Sequence, residues 1–178
     1  MKIILETERL ILREMSHDDF AAHKAVWSDN ELMKHYPYTF DDERVSAWIE
    51  RNIERYKNDG FGLWAVVLKE SDEVIGDCGL TMQNIDGTML PEVGYHIHRD
   101  YQKNGYASEA AKAVIDYAFS NYSFPYVYAY MKYSNVASHS TAMKCGMKFI
   151  KEYPDPANIT TKVYGISREE RKNKQEKC

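Results

Sequence analysis

The chain has 178 residues, 23 Lys and Arg against 27 Asp and Glu, and a formal net charge of -4. That length suits one domain with a single core, and the acidic balance argues against a protein whose main work is gripping nucleic acid phosphates. Cys78, Cys145 and Cys178 are scattered and form no Cys-x-x-Cys, which supports neither a disulfide framework nor a zinc site and points to a reducing, cytoplasmic setting. No apolar run approaches the ~18 residues needed to cross a bilayer and no apolar leader opens the chain, so no membrane partner is expected.

Leu10 and Leu12 alternate with Arg9, Ile11 and Arg13, the period of a half-buried strand, and Ser16-His17-Asp18-Asp19 then offers the cap of a helix reaching residue 28. A loop with Tyr36, Tyr38 and Phe40 leads to a second helix, in which Val45, Trp48, Ile49, Ile53 and Tyr56 form one apolar stripe and Gly60 marks the stop. Strands are predicted at 61–68, 73–83 and 91–98, with Asn84-Ile85-Asp86-Gly87 as a turn. Ala107, Ala110, Ala111, Val114, Ile115, Ala118, Phe119 and Tyr122 repeat at helical spacing, so a helix over 107–122 packs against a sheet. The strand at 127–131 then follows a strand-helix-strand crossover and lies parallel beside 91–98. A helix over 136–144 and a hairpin of 147–153 with 161–166 complete a domain of residues 1–166, and the polar stretch 167–178 reads as a flexible tail. The fold class is α/β (α+β): one mixed, twisted sheet of about six to seven strands flanked by about four helices.

Between the strand at 91–98 and the helix at 107–122 lies Gln102-Lys103-Asn104-Gly105-Tyr106-Ala107. A tight turn feeding a helix leaves the first backbone N–H groups without partners, and with the helix dipole they suit an anion. Gly105 allows close backbone approach, and Arg99, Lys103 and Lys112 add positive charge. Neither the P-loop pattern nor Gly-x-Gly-x-x-Gly occurs, and no convincing acidic set for Mg²⁺ accompanies the loop, which disfavours a nucleotide-dependent phosphotransferase. A helix start can carry a glycine with no ligand at all.

The Gln-x-x-Gly-x-Ala pattern resembles the acyl-CoA pyrophosphate loop of the GNAT superfamily of N-acetyltransferases. Four other blocks follow the same family in order. Glu6-Thr7-Glu8-Arg9-Leu10-Ile11-Leu12-Arg13 looks like the first strand of its RimJ/RimL-like branch, which includes ribosomal-protein N-terminal acetyltransferases. Ile75-Gly76-Asp77-Cys78-Gly79-Leu80 and Glu92-Val93-Gly94-Tyr95 resemble its third and fourth strands. Asn135-Val136-Ala137-Ser138 with Lys144-Cys145-Gly146-Met147-Lys148-Phe149 resembles its "N-x-x-S … K-x-G-F" element. The resemblance covers residues 6–166.

It implies an acetyl-CoA-dependent N-acetyltransferase that needs no metal and moves an acetyl group directly to a primary amine, either a protein N-terminal α-amine or a small-molecule amine. By this likeness Ile97, His98 and Arg99 hold the pantetheine amides, the thioester carbonyl meets an N–H near His96 or Ile97, and the loop Gln102, Lys103, Asn104, Gly105, Tyr106 and Ala107 holds the pyrophosphate. An oxyanion-type donor of this kind is worth about 3 kcal/mol. Asn135 is the side-chain candidate for the cofactor, since a carboxamide both donates and accepts; helix capping would explain it equally simply. Ser138 is a candidate to protonate the departing thiolate, with Ser140 or a water as alternatives, because Ala142 stands where many members of the family carry a tyrosine.

Glu92, an acidic side chain in an apolar strand, is the candidate base, with a solvated strand-end carboxylate as the plain alternative. Tyr130 lies where some relatives place a carboxylate and is at most a positioning residue. Tyr36 and Tyr38 belong to the loop that walls the acceptor pocket in the family. His96 and His98 lack a third ligand and read as ordinary strand residues. A homodimer is the default assembly. A non-catalytic acyl-CoA sensor remains the alternative, and it would bind CoA without turnover on any amine.

Overall fold

The computed structural model describes residues 2–36 and 39–175. Eight strands form one sheet: β1 (Ile3–Glu6), β2 (Leu10–Arg13), β3 (Leu63–Leu68), β4 (Glu73–Ile85), β5 (Thr88–Ile97), β6 (Tyr126–Lys132), β7 (Lys148–Asp155) and β8 (Ile159–Ser167). Their spatial order is β1-β2-β3-β4-β5-β6-β8-β7. Every neighbouring pair is antiparallel except β5 and β6.

Helices cover both faces, so β3 and the centre of β4 are buried along their length rather than alternating. On one face lie α1 (Phe20–Trp27), preceded by a 3₁₀ turn, the short α2 (Asn30–Met33) and α3 (Asp42–Asn58). Trp27, Val45 and Ile49 pack there on Leu63 and Ala65. Asp41 caps α3 by accepting the Arg44 N–H at 2.9 Å, and Gly60 takes up the left-handed φ of +79° just beyond the helix end. On the other face α4 (Tyr106–Asn121) buries Ala110, Ala111, Val114, Ile115 and Ala118, the stripe read from the sequence. Its alanines let the helix lie close on Trp64, Val66, Leu80 and Val93. α5 (Val136–Lys144) follows β6.

Several features differ from the sequence expectation: α2 is an additional short helix, and Asn84 and Ile85 extend β4 rather than forming the turn. The sheet gains β1, which pairs with β2. The polar stretch after 167 forms α6 (Arg168–Gln175), tied down by side chains with distant partners. The Arg168 guanidinium donates to the carbonyls of Phe119 and Tyr122 and to that of Phe124 at 3.1 Å, while Arg171 grips Asp116 through two bonds of 2.6 Å.

Candidate active site

The parallel strands β5 and β6 are in register at one pair only, Glu92 with Tyr128, and separate beyond it. Their facing backbone groups therefore lack strand partners toward the carboxyl ends, which is where α/β sheets receive ligands. A groove of about 790 Å³ occupies the gap and runs from the start of α4 to Tyr36, Arg55 and Asn158.

At one end stands the loop Gln102 to Ala107. Lys103 (φ +66°) and Gly105 (φ +85°) both adopt the left-handed conformation, and Gly105 is the N-cap of α4. The turn thus directs the helix N-terminus, with its unbonded N–H groups, into the groove. Gln102, Lys103, Gly105, Tyr106 and Ala107 line it; Asn104 instead folds its amide back onto the carbonyls of Tyr101 and Gln102, both at 3.3 Å. The turn between β1 and β2 braces this loop, a role not read from the sequence. Arg9 donates to the Asn104 carbonyl at 3.1 Å and lies 4.5 Å from the Tyr106 ring centroid. A side chain on Gly105 would bring a Cβ to 3.5 Å from the Arg9 guanidinium.

Along the β5 edge, the His98 N–H is committed to the Ile75 carbonyl of β4 at 2.8 Å. Backbone groups alternate sides along a strand, so Ile97 and Tyr95 face the gap. The Ile97 carbonyl accepts from the Gln102 side chain at 2.8 Å, which ties the loop to the strand end. His98 and Arg99 are not walls of the groove, and Arg99 is exposed in a 3₁₀ turn. Across the gap, the Asn135 Oδ1 accepts the Ser138 N–H at 3.1 Å, so this residue does cap α5, while its amide nitrogen keeps two donors at the groove wall.

Ser138 also lies at the wall, and its hydroxyl is 3.2 Å from the Tyr95 hydroxyl, which donates to the Ser138 carbonyl at 3.0 Å. Burial pushes the Tyr95 phenol well up, so it stays protonated. Tyr95 had no role in the sequence reading. Glu92 is buried at 9% exposure and accepts from Thr81 at 2.8 Å. Burial pushes its carboxyl up to about 7, against the opposing pull of the Thr81 bond, His96 and Arg55. It is therefore not the solvated strand-end carboxylate of the alternative reading. Tyr130 lines the same region from β6.

Tyr36 closes the far end of the groove, its hydroxyl 2.8 Å from His96 Nε2. The His96 Nδ1 is 2.6 Å from Asp77 Oδ1, so His96 is no ordinary strand residue. Tyr38 lies outside the described residues. Cys78 and Cys145 are buried, and burial raises both thiols, that of Cys145 to about 11, which disfavours either as a nucleophile.

A sheet split beside a helix N-terminus, with a buried carboxyl in the cleft, defines a class of acyl-CoA-dependent acetyltransferases, and comparison with known proteins agrees. Residues 9–148 match the family model of the acetyltransferase (GNAT) domain. The Bacillus subtilis protein YkkB is 34% identical over 151 residues, covering 84% of this chain and 88% of its own. YnaD of the same organism, named an N-acetyltransferase, is 30% identical over 145 residues, covering 81% and 82%. Among solved structures, a GNAT-family acetyltransferase from Bacillus anthracis superposes with a TM-score of 0.80 at 24% identity, over 95% of this chain and 99% of that one. RimL, the ribosomal L7/L12 alpha-N-protein acetyltransferase, in complex with coenzyme A, gives 0.78 at 14% identity over 95% and 99%; these two likenesses concern the fold. The chain belongs to the GNAT acetyltransferase family, whose acetyl donor is acetyl-CoA, and it is an N-acetyltransferase.

Proposed function

We propose that this protein transfers acetyl directly from acetyl-CoA to a primary amine, within a ternary complex, as a RimJ/RimL-like member of its family. The observation that carries the reading is the single groove that joins the Gly105 loop to the buried Glu92 carboxylate. Backbone N–H groups from Lys103 to Ala107 hold the pyrophosphate, and Lys103 adds charge. The Ile97 backbone and the Asn135 amide nitrogen hold the pantetheine arm. The left-handed Gly105 and the single register pair between β5 and β6 support this reading.

Glu92 takes the first proton from the acceptor ammonium. With its carboxyl near 7 it sits about one unit below an α-ammonium of ~8, a gap of about 1.4 kcal/mol, whereas a lysine at ~10.4 lies more than 4 kcal/mol away. The site therefore favours an N-terminal α-amine or another amine of low pKa. Ser138, oriented by Tyr95, returns a proton to the departing thiolate, and Tyr130 positions the acceptor. Tyr36 walls the acceptor pocket. The three scattered cysteines, which offer no disulfide framework, fit a reducing, cytoplasmic setting, and a homodimer is the default assembly.

Calorimetric titration tests the cofactor half: acetyl-CoA binds wild type, ATP does not, and Gly105→Val weakens acetyl-CoA several-fold because a β-branched residue resists the left-handed φ. Equal affinity of wild type and variant would refute the cradle assignment.

A further inference from the structure

β5 turns Glu92, Gly94 and His96 to one face, so Glu92 and His96 flank the floor of the acceptor end at alternate positions. Asp77 is the direct cross-strand partner of His96 on β4 and is fully buried. A carboxylate can only accept, so the 2.6 Å contact fixes the proton on His96 Nδ1 and leaves Nε2 as the acceptor of the Tyr36 O–H. Trp27 and Trp48 hold the ring, with centroids 4.5 and 5.8 Å away. The second Asp77 oxygen has no hydrogen bond, and the nearest group, the fully buried His23, stands 3.7 Å away, kept neutral by its own burial. An isolated buried carboxylate is costly, and an apolar residue would make a better core. Its one short bond runs outward, through His96 and Tyr36, into the groove.

An alkylammonium must lose two protons to become an N–H amide, and Glu92 is placed to accept one. We propose that Tyr36, His96 and Asp77 form a relay that takes the second. The Tyr36 oxygen accepts the proton from the acceptor nitrogen as the C–N bond forms and the C–S bond breaks; its own proton passes to His96 Nε2, and Asp77 stabilises the imidazolium. Ammonium plus thioester thus yields amide, thiol and one proton released to water, and no further reactant is needed. Tyr36 is the group that touches the substrate, whereas His96 and Asp77 position it and act through it. This assignment rests on the acyl-transfer reading above.

The test follows thiol release with acetyl-CoA against glucosamine, spermidine and a short peptide with a free serine N-terminus, using the best acceptor. Tyr36→Phe and His96→Gln each lower kcat on the order of 10²-fold, with KM for acetyl-CoA unchanged. The double variant loses no more than either single one, as members of one unit should. Asp77→Asn keeps the shape and removes the buried charge that stabilises the imidazolium, so kcat falls while the melting temperature does not. Wild-type kcat in Asp77→Asn and Tyr36→Phe, or losses that multiply in the double variant, would overturn the relay and leave a packing role. No thiol release by the wild-type protein with any of the three amines would overturn the acyl-transfer reading, and the relay with it.

Discussion

The guanidinium of Arg9 and the carboxylate of Glu109, 100 residues apart in the chain, meet through two bonds of 2.6 and 2.7 Å. Glu109 also accepts from the Thr7 hydroxyl at 2.5 Å and the Arg9 N–H at 3.0 Å. The start of the chain therefore grips the first turn of α4, and Arg9 continues to the Asn104 carbonyl in the phosphate-type loop. Burial alone would raise the Glu109 carboxyl, but the bonds from Thr7 and Arg9 hold it below its ordinary range.

Arg9→Ala is expected to cost little stability, about 1 kcal/mol, because the Arg9 side chain is 42% exposed. KM for acetyl-CoA rises several-fold, since the loop loses its brace while the acceptor site is untouched. Because the folded Glu109 carboxyl is depressed, its contribution is present above about pH 4.5 and fades as the pH falls. Thermal melts from about pH 2.5 to 8 show the full wild-type advantage over Glu109→Gln from about pH 5 upward and its loss toward the acid end.

At Asn135 the two roles separate by substitution. Asn135→Ala removes the cap of α5 and lowers stability by about 1 kcal/mol. Asn135→Asp keeps the capping oxygen and loses the amide donors. An increase in KM for acetyl-CoA in the Asp variant, with the melting temperature retained, marks the cofactor contact; an unchanged KM leaves capping as the whole role.

Glu92 gives a prediction in pH with a definite sign. Its folded carboxyl titrates near 7 against about 4.3 unfolded, so between these values the folded state holds the extra proton and stability declines as pH rises. Glu92→Gln can keep the Thr81 bond and avoids that decline, matching wild type near pH 4 and exceeding it above pH 7 by up to about 4 kcal/mol. Its kcat falls on the order of 10²-fold and loses the rise through pH 7 shown by wild type.

The C-terminal helix is held by long-range bonds rather than by an apolar stripe. Arg168→Ala strips a cation from three carbonyls at and beyond the end of α4, those of Phe119, Tyr122 and Phe124. A loss of about 2 kcal/mol in urea unfolding is expected, with KM for acetyl-CoA unaffected.

The parts of the molecule that obey a local rule were legible in the chain. The alanine-rich stripe of α4 has one helical period, and glycine takes the left-handed φ found at Gly105 without a Cβ penalty. Ile3, Ile4 and Leu5 show no alternation, which hid β1. α6 was hidden because Arg168 and Arg171 find their partners 44 to 55 residues away. The separation of β5 from β6 leaves no mark on either strand. Asp77 was not singled out in the chain, because only the cross-strand register brings it opposite His96. Thr7 and Arg9 gave no local sign of their purpose, since Glu109 meets them only in the folded chain.

The most direct test of the account is thiol release by the purified protein with acetyl-CoA and a panel of small amines and peptides with free N-termini, with the acceptor product identified by mass. The account predicts that one thiol is released per acetyl group on the amine nitrogen, that α-amines outpace lysine side chains, and that Glu92→Gln abolishes most of the rate. Acetyl-CoA binding with no thiol release on any amine would contradict it and leave a protein that only senses the cofactor.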